Sequence, residues 1–322
     1  MPKRLVCLVV FVIIIGTAAA CNVSTGLKET GGYPDFITPN DEYYVTRIGD
    51  VPEVDGQSYR LNVTGLVKHP RSFTLKELTD MAAVELPLTV ECIGNTRRGR
   101  LISTAVWKGF LLIDLLESLG LEPSATGVKY KAADGYYASH TIQQIRENGV
   151  LVALFMNGVP IPPLHGFPVR VLNPGYYGVK QPAWVTDIEV IDMPIKDYWE
   201  ERGWDCSPPI PADSTIFFPE DTADVAVGQP LSIGGAAFGG KRIKLVEVTG
   251  DGGGHWTQAE ITRNMDADNV WVFWKAELTF AEPGRYVVNS RATDVSGNAQ
   301  EDKDPNRYDG TNDWPMLKVK VQ

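Results

Sequence analysis

The spacing of hydrophobic and polar positions indicates an α+β structure for the N-terminal part of the chain. Apolar residues recur at helical spacing in short segments at residues 75–78, 111–119 and 142–146. Segments with strand character lie around them, at residues 59–67, 87–92, 128–132, 150–156, 169–172 and 184–191. Asn157 and Gly158 follow one of these segments and predict a tight hairpin turn. Because the order lacks the regular rhythm of βαβ units, we expect an α+β domain.

The pattern changes after the proline-rich residues 206–211, which predict a domain boundary. Beyond them lie short alternating segments separated by Gly and Asp turns, at residues 216–218, 231–233, 243–249, 271–278, 286–294 and 316–321. This pattern is typical of an antiparallel, immunoglobulin-like β-sandwich. We therefore expect a second, all-β domain, and its sequence contains no cysteine that could join two sheets.

The N-terminus has the features of a cleaved export signal over residues 1–20. Lys3 and Arg4 precede an apolar segment at residues 5–20, which is too short for a membrane span of about 20 residues. Small residues before Cys21 resemble a bacterial lipid-attachment site, although Ala18 stands where that motif has Leu. Lipidation of Cys21, plain cleavage and an uncleaved anchor all place the protein outside the cytoplasm, in the periplasm or on the outer surface. Residues 21–40 are then expected to form a linker.

Composition narrows the class of protein further. Of 322 residues, 43% are hydrophobic and 22% are charged, which is the balance of a soluble globular protein, and the length suggests two domains. The 40 acidic residues outnumber the 30 Lys and Arg residues. The resulting net charge of -10 argues against a nucleic-acid-binding protein, because phosphate binding needs a basic surface. The 4 cysteines are too few for a disulfide-based scaffold.

Cys92 is the first candidate for chemistry. It ends a predicted strand, Gly94 and Asn95 then predict a tight turn, and Arg97 and Arg98 follow at once. Arginines near a thiol favour the thiolate, which is the form that attacks an electrophile or binds a metal ion. On composition alone, a disulfide with Cys206 or an inert buried thiol is an equally supported alternative.

A second candidate site lies between residues 165 and 180. His165 and Arg170 stand around a proline, and a glycine-rich turn with Lys180 follows. The planar guanidinium of Arg170 offers a fork of donors, so that together with His165 it can hold a phosphate. A purely structural histidine is the alternative interpretation of His165.

Taken in order, these segments resemble the sulfite oxidase family of molybdenum cofactor enzymes from about Thr38 to the C-terminus. The matching segments are the Cys92 turn and residues 38–47, 105–109, 133–136, 156–158, 165–170, 174–184, 198–202, 246–256 and 291–300. The resemblance implies an α+β molybdopterin-binding domain of sulfite oxidase type at residues 41–207. It also implies an all-β, immunoglobulin-like dimerisation domain at residues 208–322.

The resemblance assigns roles to individual residues. It implies one molybdenum atom bound by molybdopterin and by the thiolate of Cys92, and soft sulfur ligands suit this metal. Further cofactor contacts fall on Asn40, Tyr44, Thr46, Asp134, His165, Arg170 and Lys180. Substrate contacts fall on Arg47, Arg97, Arg98 and Trp204, and Arg97 is also a catalytic candidate. The chain departs from the family at Thr46 and Trp204, where sulfite oxidases carry Arg and Tyr, and this weakens the expected anion pocket.

The activity that the resemblance implies is a two-electron oxygen-atom transfer on a small substrate, as in sulfite oxidases. A sulfoxide or N-oxide reductase of the same fold is one alternative, and a cofactor-free, lipid-anchored binding or adhesion protein is another. The sequence has no haem or iron–sulfur motif, so electrons are expected to pass through a separate carrier such as a cytochrome c or a membrane redox protein. The dimerisation domain implies a homodimer.

Overall fold

The structure, a computed structural model, describes residues 22–24, 32–193, 195–220 and 222–322. These residues form an N-terminal domain of strands with short helices and a C-terminal domain rich in strands. The predicted export signal at residues 1–20 and the predicted lipidation site at Cys21 lie outside the described residues. Among the residues described, no helix has the length and apolar character needed to cross a membrane.

Within the described residues, the N-terminal domain contains two sheets of five strands, a two-stranded ribbon and three short α-helices. The helices are α1 (Leu75–Asp80), α2 (Leu112–Ser118) and α3 (Ile142–Asn148). The strands are β1 (Asn22–Ser24), β2 (Val45–Arg47), β3 (Arg60–Gly65), β4 (Arg71–Thr74), β5 (Val84–Glu91), β6 (Ile102–Leu111), β7 (Gly127–Ala132), β8 (Tyr137–Thr141), β9 (Leu151–Met156), β10 (Val159–Pro160), β11 (Arg170–Leu172) and β12 (Val185–Ile191). One sheet has the order β10–β9–β6–β5, with β11 also paired to β9. The other has the order β4–β3–β12–β7–β8, in which β12 runs parallel to β3.

Local sequence explains where the helices begin. Thr74 caps α1, since its hydroxyl accepts from the Glu77 amide at 3.2 Å and the Glu77 carboxylate accepts from the Thr74 amide at 2.8 Å. Thr141 and Gln144 form the same reciprocal capping box at the start of α3. Gly149 ends α3 in the left-handed conformation, with φ of 65°.

The predicted hairpin turn at Asn157 and Gly158 is confirmed. The two residues join β9 to β10, and their φ angles are 51° and 80°. Positive φ at both central positions is the geometry that an Asn-Gly pair favours, because Gly has no side chain to clash and Asn tolerates the left-handed region.

Strand β6 was missed by the hydrophobic pattern, although it lies inside its sheet between β5 and β9. Ser103, Thr104, Ala105 and Trp107 in this strand are all fully buried. A strand covered on both faces shows no alternation of polar and apolar residues, so the period-2 signal is absent. Apart from β10, which the predicted hairpin implies, the other strands without a predicted counterpart are β1, β2, β4 and β8 here and three short strands of the C-terminal domain.

The C-terminal domain consists of two sheets. Its strands are β13 (Asp213–Phe218), β14 (Thr222–Val225), β15 (Pro230–Phe238), β16 (Ile243–Thr249), β17 (Thr257–Gln258), β18 (Glu260–Arg263), β19 (Val272–Thr279), β20 (Gly284–Asp294) and β21 (Met316–Val321). The sheet orders are β13–β15–β19–β18 and β14–β21–β20–β16–β17. Fully buried residues from both sheets share one hydrophobic cluster, among them Ile233, Trp274, Val246 and Val288.

A further hydrophobic cluster joins the two domains. Phe36 and Ile93 of the N-terminal part pack in it together with Phe217 and Trp271 of the C-terminal domain. The Trp271 amide donates to Thr89 Oγ1 at 2.9 Å, and its indole N–H donates to the Phe36 carbonyl at 3.0 Å. The loop that follows β5, which contains Ile93, is therefore packed against both domains.

The predicted linker at residues 21–40 is wrong for its C-terminal half. Phe36 is buried, and Thr38 is fully buried and donates its amide to the Thr104 carbonyl at 2.7 Å. Tyr33 stacks on Phe273 of the C-terminal domain with ring centroids 5.0 Å apart. The aromatic residues explain the difference, because burying their large apolar surfaces stabilises an ordered path along the domain interface.

Candidate active site

A cavity of about 350 Å³ opens in the N-terminal domain beside the loop that follows β5. It is lined by residues from the end of β2, the turn after β7, residues 164–170 and residues 178–184. These segments are far apart along the chain. Among the predicted site residues, those that line it are Tyr44, Thr46, Arg47, Cys92, Asp134, His165, Arg170 and Trp204. The fold therefore brings a thiol, two guanidinium groups and an imidazole to one cavity.

Cys92 follows β5 directly and is half-buried at the cavity wall. Its amide donates to the Leu101 carbonyl at 2.9 Å, and its carbonyl accepts from the Asn95 amide at 2.8 Å. The buried side chain of Asn95 closes the loop, since it accepts from the Leu101 amide at 3.0 Å and donates to Glu91 Oε1 at 2.9 Å. These bonds fix the backbone of the Cys92 turn at the end of β5.

Two carboxyl groups, the buried Glu91 and the half-buried Asp213, lie behind this loop. Burial raises the pKa of Glu91 to about 7, although the hydrogen bond from Asn95 opposes the shift. Burial and the neighbouring Glu91 raise the pKa of Asp213, from the C-terminal domain, well above its usual range. The pair therefore retains a proton near neutral pH, because two negative charges cannot both be buried side by side without compensation. Sequence reasoning did not identify this pair, since its members lie far apart along the chain.

His165 lies at the other side of the cavity. Its Nε2–H donates to the Asn40 carbonyl at 2.6 Å. Burial lowers the pKa of His165, the Asn40 carbonyl opposes this, and the positive charge of Arg170 lowers it further. The imidazole is therefore neutral at pH 7, and its ring is packed edge-on against Tyr43 at 5.5 Å between centroids.

Arg47 and Arg170 supply the positive charge of the cavity. Arg47 donates through Nη1 to the Gly49 carbonyl at 3.2 Å, and Arg170 lies over the Trp107 ring at 5.5 Å. In the described part of the chain, the Nε atoms of both arginines are buried without a hydrogen-bond partner. A buried N–H without a partner costs roughly 1–3 kcal/mol, so this arrangement favours a bound group that accepts hydrogen bonds.

Tyr44 and Asp134 complete the polar lining. Burial raises the pKa of Tyr44 well above its usual range, and the neighbouring Cys92 adds to the shift while Arg170 opposes it. Tyr44 therefore keeps its hydroxyl proton and can act only as a neutral donor or acceptor. Its hydroxyl fits because Gly178 has no side chain, since a Cβ there would lie 3.0 Å from Tyr44 Oη. Burial also raises the pKa of Asp134, whose Oδ1 accepts from the Tyr136 amide at 2.9 Å.

Two residues predicted to contact the cofactor, Asn40 and Lys180, are not among the residues that line the cavity. Asn40 offers its carbonyl to His165, and its side chain accepts from Asn157 Nδ2 at 2.8 Å. Lys180 is 5% exposed and pairs with Asp197, with Glu200 at 3.2 Å and with the Ser139 carbonyl at 3.4 Å. All three Lys180 N–H groups are thus used within the protein, and we correct its predicted direct contact to a positioning role.

The two arginines that follow the Cys92 turn are directed at the C-terminal domain. Arg97 forms a two-point ion pair with Asp313, whose side chain is 7% exposed. Arg98 donates to the Pro219 carbonyl at 2.6 Å and to the Ile216 carbonyl at 3.5 Å. The predicted substrate contacts of Arg97 and Arg98 are therefore corrected. The groups that bind these two arginines belong to the C-terminal domain. The sequence of the turn does not show that this domain packs beside it.

Trp204, a predicted substrate contact, lines the cavity, and Trp199 joins it from the same segment. The two rings pack edge to face, with centroids 6.5 Å apart. Sequence reasoning missed Trp199 and Tyr136 as lining residues, although each lies in a segment that matches the sulfite oxidase pattern. The oxygen of the Gln181 side chain is another buried atom without a hydrogen-bond partner in the described part of the chain.

The alternative disulfide bond between Cys92 and Cys206 is absent from the described part of the chain. Within the described residues, neither Cys92 nor Cys206 is part of a disulfide. Burial raises the pKa of the Cys206 thiol to about 12, although the positive charge of Lys180 opposes the shift. Cys206 is therefore an inert buried thiol, whereas Cys92 lies at the cavity wall.

Comparison with family models divides the chain into two matching parts. Residues 48–199 match the model described as an oxidoreductase molybdopterin binding domain. Residues 207–322 match the model described as a Mo-co oxidoreductase dimerisation domain.

Similar proteins with curated descriptions include sulfite oxidases and nitrate reductases. The chain is 30% identical to sulfite oxidase of Arabidopsis thaliana over 82% of this chain and 82% of the relative. It is 31% identical to mitochondrial sulfite oxidase of Mus musculus over 83% of this chain and 58% of the relative. It is 29% identical to nitrate reductase [NAD(P)H] of Hordeum vulgare over 83% of this chain but only 37% of that longer relative.

The fold is similar to that of a solved structure, the sulfane dehydrogenase SoxCD from Paracoccus pantotrophus. The TM-score is 0.81 at 22% identity, and the match covers 97% of this chain and 87% of that chain. This likeness extends over both domains.

Proposed function

We propose that this protein transfers an oxygen atom to a small sulfur oxyanion. The premise is that the chain belongs to the family of molybdopterin-dependent oxidoreductases that includes the sulfite oxidases. It is an enzyme, and its cofactor is Mo-molybdopterin. One observation carries the proposed reaction. The Cys92 thiol lies in the same cavity as two guanidinium groups whose Nε atoms, among the residues described, have no hydrogen-bond partner.

The residues of the cavity fit this cofactor. A pterin with a phosphate needs donors for its oxygen atoms and polar partners for its ring, and the unpartnered Nε of Arg170 and oxygen of Gln181 offer both kinds of group. Arg170 would hold the phosphate, and Asp134, Tyr44 and the Nδ1 acceptor of the neutral His165 would contact the pterin. The Cys92 thiolate would bind the molybdenum, because soft metals favour sulfur ligands. Thr46 lies in the lining beside these residues.

The bound cofactor supplies two-electron oxygen-atom transfer, and the protein orients it and tunes its charge. Arg47 is the remaining guanidinium of the lining and would bind the oxyanion substrate through a charge-assisted hydrogen bond. Trp199 and Trp204 exclude water from the space near Cys92. The low polarity that they create strengthens the attraction between Arg47 and an anion.

We further propose the setting in which the enzyme works. A separate one-electron carrier, such as a cytochrome c or a membrane redox protein, takes the electrons. The dimerisation domain at residues 208–322 supports a homodimer and an immunoglobulin-like arrangement of its two sheets, and residues 41–207 form the cofactor domain. Residues 1–20 direct export to the periplasm or outer surface, with Cys21 as a candidate lipid anchor.

Metal analysis and a substrate screen test the proposal. Cys92→Ser should lose its molybdenum, whereas the matched variant Cys206→Ser, which also removes one thiol, should retain it. The wild-type enzyme should oxidise sulfite with ferricytochrome c as electron acceptor. Equal molybdenum in both variants would remove Cys92 from the site. Reduction of sulfoxides or N-oxides by a reduced dye, without sulfite oxidation, would establish the reductase alternative.

A further inference from the structure

The side of the cavity next to Cys92 has few positive charges. Arg97 is held by Asp313, Arg98 donates to backbone carbonyls of the C-terminal domain, and Arg100 pairs with Glu220 at 3.3 Å. Each of these arginines follows the Cys92 turn in sequence, yet each is held by the neighbouring domain. A doubly charged oxyanion at this position would therefore meet fewer compensating charges than the arginine-rich sequence suggests.

Apolar side chains take the place of these charges. A Cβ atom at Gly94 would lie 3.8 Å from Cys92 Sγ and 4.0 Å from Trp204 Cη2, so only the missing side chain of Gly94 separates the thiol from the indole ring. Trp199 and the buried Ile93 line the same region. The space beside the thiol thus has an aromatic wall that can contact an apolar substituent.

The rim beyond Trp204 is acidic. The exposed ring of Tyr308 packs edge to face against Trp204, with centroids 6.0 Å apart, and the Tyr308 carbonyl accepts from the Asp205 amide at 2.8 Å. Burial and the nearby carboxylates of Asp304 and Asp205 raise the pKa of Asp309. Carboxylates at the entrance of a cleft repel anions, and they repel dianions more strongly than monoanions.

From these three observations, we infer that the preferred substrate is an organic sulfinate, a sulfur oxyanion with one negative charge and an apolar substituent on sulfur. The substituent packs against Trp204, and the single charge matches the single guanidinium, Arg47, that the cofactor leaves available. This inference rests on the proposed oxygen-atom transfer and narrows its substrate class.

The reaction R–SO₂⁻ + H₂O → R–SO₃⁻ + 2 H⁺ + 2 e⁻ forms one S–O bond and breaks both O–H bonds of a water molecule. Sulfur is oxidised, the two protons pass to solvent, and the two electrons pass to the one-electron carrier named above. No further co-reactant is needed.

Steady-state oxidation of benzenesulfinate and of sulfite by the molybdenum-loaded enzyme tests the inference, with ferricyanide as electron acceptor. We expect kcat/KM to be about tenfold higher for benzenesulfinate, since an aromatic contact of up to about 1.5 kcal/mol corresponds to roughly tenfold. Trp204→Ala should remove this preference. Gly94→Ala should reduce it as well, because its methyl group fits at ordinary contact distance but fills the space beside the thiol.

Trp256→Ala is the matched control. This tryptophan packs against Trp314 in the C-terminal domain, with ring centroids 4.8 Å apart, and its removal should leave the ratio of the two kcat/KM values unchanged. A preference for sulfite in the wild-type enzyme, or a ratio that Trp204→Ala does not alter, would overturn the inference while leaving the proposed function intact. If neither compound is oxidised at full molybdenum content, the proposed function itself fails and the inference with it.

Discussion

The ion-pair cluster around Lys180 offers the sharpest test of how this site is held together. Lys180 belongs to the turn at Gly178–Lys180, which lines the cavity. Asp197 precedes the segment that carries Trp199 and Trp204, and Glu200 lies between these two tryptophans. The side chains of Lys180 and Asp197 are 6% and 0% exposed. Although burial lowers the pKa of Lys180, the carboxylates of Asp197 and Glu200 together outweigh it and the net shift is upward, so the lysine is charged.

Lys180→Met removes the charge but keeps the length of the side chain. Breaking one side of a buried ion pair costs about 3–5 kcal/mol, because the remaining charge stays buried without compensation. For a domain of this size, that corresponds to a decrease in Tm of about 6–20 °C. The matched control is Lys76→Met, since the Lys76–Asp80 pair at 2.7 Å is 82% and 62% exposed and such pairs contribute only about 0–1 kcal/mol.

Differential scanning calorimetry at several pH values measures the decrease in Tm and its dependence on pH. Burial already raises the pKa of Asp197 in the wild type, the Lys180 charge opposes this shift, and removing Lys180 therefore raises the pKa further above its value in the unfolded chain. The variant is then most stable at low pH and loses stability as the pH rises through that pKa. The deficit relative to wild type should therefore be larger at pH 8 than at pH 5, and Lys180→Met/Asp197→Asn should recover part of it. A Tm within about 4 °C of wild type at pH 8 would refute the assigned role of the cluster.

Two further predictions follow from the site. Arg97→Gln should lower stability by about 1.5–3 kcal/mol, because the Asp313 carboxylate, whose side chain is 7% exposed, loses its two-point partner. Molybdenum content should be unchanged and the KM for sulfite should stay within about twofold of wild type; a tenfold higher KM would restore Arg97 as a substrate contact. Burial and the charge of Lys180 lower the pKa of His140 to about 3, so the wild type should lose stability as the pH falls from about 6.5 towards 3. His140→Asn should flatten this acid limb in thermal unfolding, and an unchanged limb would contradict the burial argument.

Much of the fold was accessible from local signals. Each helix predicted from apolar spacing is present within a few residues, and the capping pairs at Thr74 and Thr141 show why the helices begin there. The hairpin at Asn157 and Gly158 was equally predictable, because its residues tolerate positive φ. Strand β6 was not predictable in this way, since a strand buried on both faces has no alternating pattern.

The candidate site shows the same division between local and long-range information. Cys92, His165 and Arg170 were identified from residue chemistry and local spacing, and all of them line one cavity. The roles of Arg97 and Lys180 were misjudged. A cation can turn to any nearby carboxylate, and the choice between cofactor, substrate and protein partner depends on groups brought close by folding.

The sequence by itself determined the order of most elements, because that order depends on residue types at short spacing. Its ordered motifs also determined the family and, through the resemblance, the cofactor chemistry. Only the tertiary structure decided which charges face the cavity. The C-terminal domain holds Arg97 through Asp313, and Lys180 is held by carboxylates of the segment that carries Trp204. The physical reason is that electrostatic attraction acts through space. A guanidinium or ammonium group therefore pairs with whichever buried carboxylate the packed domains place beside it, whatever the distance between the two along the chain.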